Sequence, residues 1–219
     1  KFTLSDTGSW SLRNARERFR EKSSWLSSIK NYLYRPFDYR EIVYLDILIE
    51  RARSDIMQHM QKDNISILLG RAGHVVNSVS WNLLFVSTCM TDTNIFRRGG
   101  GIVFPIYLYP DEDIKMLFDK TSTSPWKPDA NHGNRVPNLT SNFVNKFEKR
   151  LGLFFNEHLS CREHTIDEIF GPEDILAYMY AFFYCPIYRE RYAEFLSIDF
   201  PRVPLTSEAD LFRNLVYLG

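Results

Sequence analysis

No surplus of charge marks this sequence: Lys and Arg together number 27, and so do Asp and Glu. Global electrostatics therefore do not draw the chain toward a polyanion, and any nucleic-acid face has to be a local patch balanced by acid elsewhere. Cysteine is scarce as well. The three present, at 89, 161 and 185, are odd in number and scattered, which argues against a disulfide framework and fits a reducing cytosol. No apolar run approaches the roughly eighteen residues of a membrane span. The opening KFTLSDTGSW lacks the apolar centre of a signal peptide. Hydrolase signatures are missing too: there is no Gly-x-Ser-x-Gly, no His-Glu-x-x-His and no Walker motif.

What is abundant is apolar and aromatic. Hydrophobic residues make up 44% of the chain, with 17 Phe and 12 Tyr, and 219 residues suffice for one large or two small domains with a real core. The most organised stretch is residues 170–205, FGPEDILAYMYAFFYCPIYRERYAEFLSIDFPRVPL. Gly171-Pro172 predicts a helix start, because proline in the first turn forfeits no hydrogen bond. Glu173 and Asp174 then meet the positive end of the dipole. Ile175, Leu176, Met179, Phe182 and Phe183 give that helix an apolar face. Cys185-Pro186 ends it, since the residue before proline is pushed out of the helical region. A second helix is predicted over 187–196, with Ile187, Tyr188, Tyr192, Phe195 and Leu196 inward. Prolines at 201 and 204 make 199–205 an extended edge segment.

Toward the N-terminus, Leu12, Ala15, Phe19, Leu26 and Ile29 share a helical face, with Arg13, Arg16, Arg18, Arg20 and Lys22 around the rest. Glu17 and Glu21 offer i,i+4 partners. Such a helix suits phosphate contacts or is a solvated face laced with ion pairs. In residues 34–40, YRPFDYR, Pro36 forces Arg35 to be extended, and Asp38 can bond to nearby backbone, Arg35 or Arg40. This Arg-Asp-Arg turn is either a phosphate or base-edge site or an ion pair that fixes the turn. A strand with mixed faces follows it. Residues 50–61 predict a short amphipathic helix with Ile56, Met57 and Met60 inward.

Strands are predicted over 65–69, 82–88 and 102–109, with Pro105 marking an edge or bulge. Gly70-Arg71-Ala-Gly73 looks like a phosphate loop but lacks the following Lys-Ser/Thr. Residues 89–101 carry Arg97, Arg98 and three glycines, a composition for close approach to a ligand or for a hairpin tip. Residues 111–138 form a long loop with Trp126, Lys127, Asn131, His132, Asn134 and Arg135, suited to groove contacts or to disorder. Asp111, Glu112 and Asp113 are a candidate nuclease carboxylate cluster or a solvated turn. Thr140 or Ser141 caps a helix to about Leu151, with Phe143, Val144, Phe147 and Leu151 inward. Glu157-His158-x-x-Cys161-x-x-His164 has the residue types of a zinc site. A closed site wants four ligands, and only His132 or Cys185 could fold in, so no metal is expected. Ser207 to Asp210 reads as a capping box with Asp in place of Glu.

Three stretches carry a resemblance: residues 170–205 above, YRPFDYREIVYLD at 34–46 and GGGIVFPIYLYPDE at 99–112. In wording and order they resemble the C-terminal specificity (target recognition) domain of Type ISP restriction–modification enzymes and related adenine-specific DNA methyltransferases. The parents of that family look like fusions of nuclease, helicase-like motor, N6-adenine methyltransferase and recognition domain, or shorter methyltransferase-led versions. The resemblance implies a bacterial, cytoplasmic piece of a longer protein that grips double-stranded DNA and catalyses nothing itself. It presents an adenine to the methyltransferase domain of the same polypeptide, where S-adenosylmethionine is expected; neither Asn-Pro-Pro-Tyr nor a glycine-rich cofactor loop occurs here, so no cofactor and no membrane partner is expected for this chain.

Base readers cannot be transferred, because targets differ between members. Chemistry nominates Arg71, Arg97, Arg98, Lys127, Asn131 and Arg135 for bases, and Arg13, Arg16, Arg20, Arg35 and Arg40 for phosphates. The expected fold is α+β: one recognition domain over 1–219, with a helical lead-in to 33, a mixed or mostly antiparallel sheet over 34–110, the loop 111–138, and a helical part over 139–219. The rival readings are a divergent nuclease and a protein-interaction module built on exposed Tyr and Phe.

Overall fold

The computed structural model describes residues 6–22, 24–70, 81–96, 100–110, 126–159 and 166–219. Seven helices and ten short strands lie within them, in an α+β arrangement whose strands are mostly antiparallel.

Strand β1 (Ile29–Arg35) turns back into β2 (Asp38–Val43), antiparallel with Tyr32 opposite Arg40, and the irregularity in their register falls between Leu33 and Arg35, at the tip. On its other side β1 pairs parallel with β5 (Met90–Thr91), Tyr32 opposite Met90, so the first sheet runs β2-β1-β5 and is mixed. The second sheet, β4-β3-β6, is antiparallel throughout, with β3 (Ser66–Gly70) between β4 (Leu84–Ser87) and β6 (Gly101–Pro105). β3 is buried along its whole length, as expected of a central strand. Pro105 is the last residue of β6, where a ring without an N–H ends the ladder. The chain then starts a separate two-stranded sheet, β7 (Tyr107–Leu108) with β8 (Val136–Pro137). A last pair, β9 (Phe154–Phe155) and β10 (Ile169–Phe170), is parallel.

Helix α1 (Leu12–Arg20) buries only Ala15. It stops well short of Ile29, which opens β1 instead of completing a helical face; the lead-in is therefore part helix and part strand. Ser24 and the β-branched Ile29 disfavour helix, and cross-strand pairing with Val43 decides the matter. Residues 50–61 likewise yield only α2 (Ser54–Met57) and one 3-10 turn, although Met57 and Met60 are buried as expected. Arg51 and Arg53 both have positive φ (58° and 52°), and no regular helix passes through such residues.

Helix α3 (Ser141–Leu151) begins at Thr140, whose hydroxyl accepts the Phe143 N–H at 3.4 Å, and ends at Gly152 with φ 68°. Helix α4 (Pro172–Tyr184) is the centre of the fold. Asp174, 1% exposed, accepts the Gly171 N–H at 2.7 Å, satisfying a donor just outside the helix. Gly171 is required there because a Cβ would stand 2.5 Å from the Leu159 carbonyl oxygen. α4 is apolar around most of its circumference and serves two cores. Leu176 and Phe183 pack with Ile67, Leu69, Trp81, Leu84 and Tyr107 of the sheet half. Ile175 and Tyr178 pack with Phe147 of α3, Phe170, and Phe212 of α7 (Ala209–Leu218).

After Cys185 the chain does not form one helix to residue 196. It forms α5 (Pro186–Arg191) and α6 (Ala193–Leu196), broken at Tyr192 (φ −108°, ψ 18°). Tyr188 and Leu196 are buried, whereas Ile187, Tyr192 and Phe195 are exposed, because the break rotates one short helix against the other. Residues 199–205 are extended but pair with no strand among the described residues. Tyrosine hydroxyls hold them instead: Tyr178 donates to the Pro204 carbonyl at 2.8 Å and Tyr188 to that of Arg202 at 3.3 Å. Burial pushes the Tyr178 phenol up to about 12, only partly offset by the Thr206 backbone N–H. The capping box at 207–210 does not form. Glu208 is the N-cap without a side-chain bond, and Asp210 pairs with Arg213 at 2.8 Å.

Candidate nucleic-acid interface

The most exposed chemistry on the sheet half sits at the β1–β2 tip. Pro36 limits Arg35 to extended backbone, and the chain then reverses through Phe37 at φ 64°, a left-handed conformation that side chains other than glycine rarely adopt. The reversal leaves the Phe37 ring 84% exposed, with only an edge contact to Phe85 at 5.2 Å between ring centres. A strained backbone displaying a large apolar ring is a feature that functional sites retain. Beneath it Tyr34 is stacked by two guanidinium groups, Arg35 at 4.0 Å and Arg40 at 4.1 Å from the ring centre.

Both arginines are aimed by carboxylates. Arg40 grips Asp38 through two nitrogens, the shorter contact being 2.7 Å, and this bond holds the Asp38 carboxyl below its usual range. Arg35 donates to its neighbour's carbonyl at 2.6 Å and lies 3.4 Å from Asp92. Asp92 in turn accepts from the Tyr32 hydroxyl at 3.1 Å; burial first, and then the Asp92 charge, raise that phenol far above its ordinary value. The ion pairs fix this turn, and the fixed turn displays Phe37. Beside it opens a cleft of about 630 Å³ lined by Arg35, Phe37, Asn82, Phe85, Asn94 and Tyr184.

Helix α1 supplies unneutralised cations. Arg13 pairs with Glu17 at 3.1 Å, while Arg16, Arg18 and Arg20 are exposed and have no carboxylate partner among the described residues. The helix is moored by the segment before it. Trp10 donates to the Ile47 carbonyl at 3.0 Å, and Thr7 and Ser9 donate to Glu50 at 3.0 and 2.7 Å.

Residues 126–138 of the long loop are held in place. Trp126 donates to the Leu139 carbonyl at 2.8 Å and its ring packs on Phe155. Asp129 then makes a turn, accepting the Asn131 N–H at 2.9 Å and facing His132 at 2.9 Å; these two bonds, the backbone one first, hold its carboxyl below the usual range. Lys127 and Asn131 are displayed to solvent. Arg135 is not: its guanidinium lies 3.9 Å over the Tyr107 ring and 3.8 Å from Asp63. Arg71, Arg97 and Arg98 lie outside the described residues, as do Asp111, Glu112, Asp113, Cys161 and His164. Among nominated contacts, then, Arg35 and Arg40 meet at one tip and Arg13, Arg16 and Arg20 share one helix. Phe37 and Tyr34, which sequence reasoning passed over, complete the tip; a Phe directly after Pro in a turn was the available signal, but its exposure was not.

The fold is thus a compact set of small sheets around one doubly buried helix, with charged and aromatic groups displayed at a hairpin tip. The family model of the Type ISP C-terminal specificity domain matches residues 1–219, and the chain belongs to that family. Solved structures with the same fold include one titled "cryoEM structure DrdV-DNA complex", with TM-score 0.61 and 22% identity over 93% of this chain and 16% of that one. Another is the ATP-dependent Type ISP restriction–modification enzyme LlaBIII bound to DNA, with TM-score 0.59 and 22% identity over 95% of this chain and 12% of that one. A nuclease-deletion mutant of the Type ISP enzyme LlaGI, in complex with a DNA substrate mimic, gives TM-score 0.50 and 18% identity over 90% of this chain and 14% of that one. This chain therefore spans less than a fifth of each of those proteins. A comparison with curated proteins finds no match. No helix among the described residues is long and apolar enough to cross a membrane.

Proposed function

We propose that this chain is a sequence-specific double-stranded DNA recognition domain of a restriction–modification enzyme. Its match to the specificity-domain family over all 219 residues is the observation that carries the reading. In this reading the domain grips a short site and positions its adenine for a separate N6-adenine methyltransferase domain of the same polypeptide, which swings the base out of the stack. S-adenosylmethionine belongs to that domain, and the chain itself is non-catalytic. The parent is a bacterial, cytoplasmic enzyme, with a nuclease where one is present. The DNA bound in the titled relatives supports the partner.

In this reading the labour is divided. Arg16 and Arg20, with Arg13 beside them, neutralise phosphates without reading sequence. At the hairpin tip Phe37 presents a face on which a base or base step stacks, with the Arg35 and Arg40 guanidiniums directed by their carboxylates toward adjacent phosphates. Lys127 and Asn131 are the described candidates for base edges, with Arg71, Arg97 and Arg98 the further ones. Exposed Tyr192 and Phe195 line a pocket of about 280 Å³ with Phe182, Arg202 and Val203, and together with the exposed Ile187 and Ile198 of the same segment they offer an apolar surface for the methyltransferase domain.

A salt-dependent titration against random duplexes, with the bound fraction sequenced, tests the reading. Recovery of one short motif is the expected outcome. Binding without a motif would mean that base reading needs the methyltransferase domain, and no binding even at low salt would favour a protein-interaction module.

A further inference from the structure

The sequence places His158 beside Glu157 and near Cys161 and His164, with His132 or Cys185 as ligands that folding would have to bring in. Folding supplies two. Asp129 and His132, on the turn of residues 129–134, come to His158 just beyond β9, and one ligand atom from each of the three lies within 4.8 Å of the other two. Asp129 Oδ2 is 2.9 Å from His132 Nδ1 and 4.0 Å from His158 Nε2, and Glu157 Oε1 is 3.8 Å from that same Nε2. The two imidazoles are stacked face to face, centres 3.8 Å apart and planes within 7°.

Each donor is held on a fixed backbone. The other oxygen of Asp129 is occupied by the Asn131 N–H at 2.9 Å, which leaves Oδ2 turned toward both rings. The His158 N–H is bonded to the Asn156 side chain at 3.0 Å. Trp126 against Phe155, ring centres 5.2 Å apart, already brings the two segments together. Two imidazoles and a carboxylate converging on one point, with a second carboxylate behind, form the nitrogen–oxygen donor set of a borderline divalent cation. Bonds of about 2.0–2.2 Å around tetrahedral zinc separate donors by roughly 3.3–3.6 Å, so the 2.9 Å Asp129–His132 contact would open slightly and the 4.0 Å Asp129–His158 contact would close by about half an ångström. The stack must also fan open, because each imidazole lone pair lies in its own ring plane.

We propose that Asp129, His132 and His158, with Glu157 as fourth donor, form a zinc-class divalent cation site that clasps the 126–138 segment to the exit of β9. This goes beyond DNA recognition and departs from the metal-free domain expected from sequence, because the missing donors come from residues about 26–29 positions away. It does not depend on the DNA reading.

The test uses the full chain, stripped with chelator and titrated with zinc at neutral pH, by equilibrium dialysis and thermal melting. One zinc per chain is expected, with Tm raised on the order of 5 °C at about a hundredfold excess over Kd. His132→Gln, His158→Gln and Asp129→Asn each weaken binding by at least about tenfold, while circular dichroism stays native. Imidazole proton resonances of both histidines shift on saturation, and acidification through the imidazole range releases the metal. The proposal is overturned by a chain that takes up no zinc, or by uptake unaffected by the three substitutions. Uptake abolished by Cys161→Ser while His132→Gln leaves it intact also overturns it.

Discussion

In the helical half, Phe147, Phe170, Tyr178 and Phe212 meet with ring centres 5.3–5.8 Å apart, and none is more than 1% exposed. On the β1–β2 hairpin, Phe37 touches one ring by its edge and otherwise faces water, and Tyr34 is covered by two guanidiniums instead of by carbon. The same residue types thus stabilise one region and equip the other. Burial of a large ring is worth about 1.5–3 kcal/mol, and edge-to-face pairing adds about 0.5–1.5. An exposed ring gains almost none of this, so its presence at a strained turn points to work done on something outside the fold.

The largest expected contrast is in stability. Phe147→Ala should cost about 3–5 kcal/mol in urea unfolding, through a cavity shared by α3, α4 and α7. Phe37→Ala should stay within about 0.5 kcal/mol of the parent. A loss above about 1 kcal/mol at Phe37 would break the comparison. Next, an alkaline titration should separate buried from displayed phenols. In the unfolded chain Tyr178 ionises near the ordinary value of about 10, against about 12 when folded. The unfolded state sheds its proton first, so stability is intact below about pH 10 and falls between there and about 12. Tyr178→Phe should flatten that decline.

Smaller effects sharpen the other side. Phe37→Ala should lower DNA affinity about tenfold without changing the melting curve, and Phe37→Trp should retain it. Unchanged affinity would reduce Phe37 to an accident of the turn. Arg16→Ala should weaken all duplexes alike, by a few fold at most, and flatten the salt slope by about one unit. Arg97→Ala should instead relax preference at a single base pair; uniform weakening by both would cancel the assignment of readers.

What the sequence made legible was local. Gly171-Pro172 and Cys185-Pro186 bracket α4 within a residue and Thr140 caps α3, because proline and hydroxyl caps act on their immediate neighbours. Pro105, expected as an edge or bulge within one strand over 102–109, instead ends β6 and splits that strand in two. Apolar periodicity alone was less reliable. It carried Ile29 into a helix that pairing with Val43 made a strand, and it ran α5 and α6 together through Tyr192. Pairings between distant segments left little trace in local sequence: the parallel contact of β1 with β5 left none, and the meeting of His132 with His158 was legible only as one of two residues that could fold in. Phe37 was visible as a residue yet not as a displayed one, since exposure is decided by a positive φ that Pro-Phe-Asp does not announce.

Because, among the described residues, β2 pairs with β1 alone, the hairpin ends in a tip whose side chains bear little of the structure's weight. Letters there can be rewritten within a few tenths of a kcal/mol while α4 keeps both cores closed. Such a fold separates its inheritance from its vocabulary: the tip can change by small steps without passing through an unfolded ancestor.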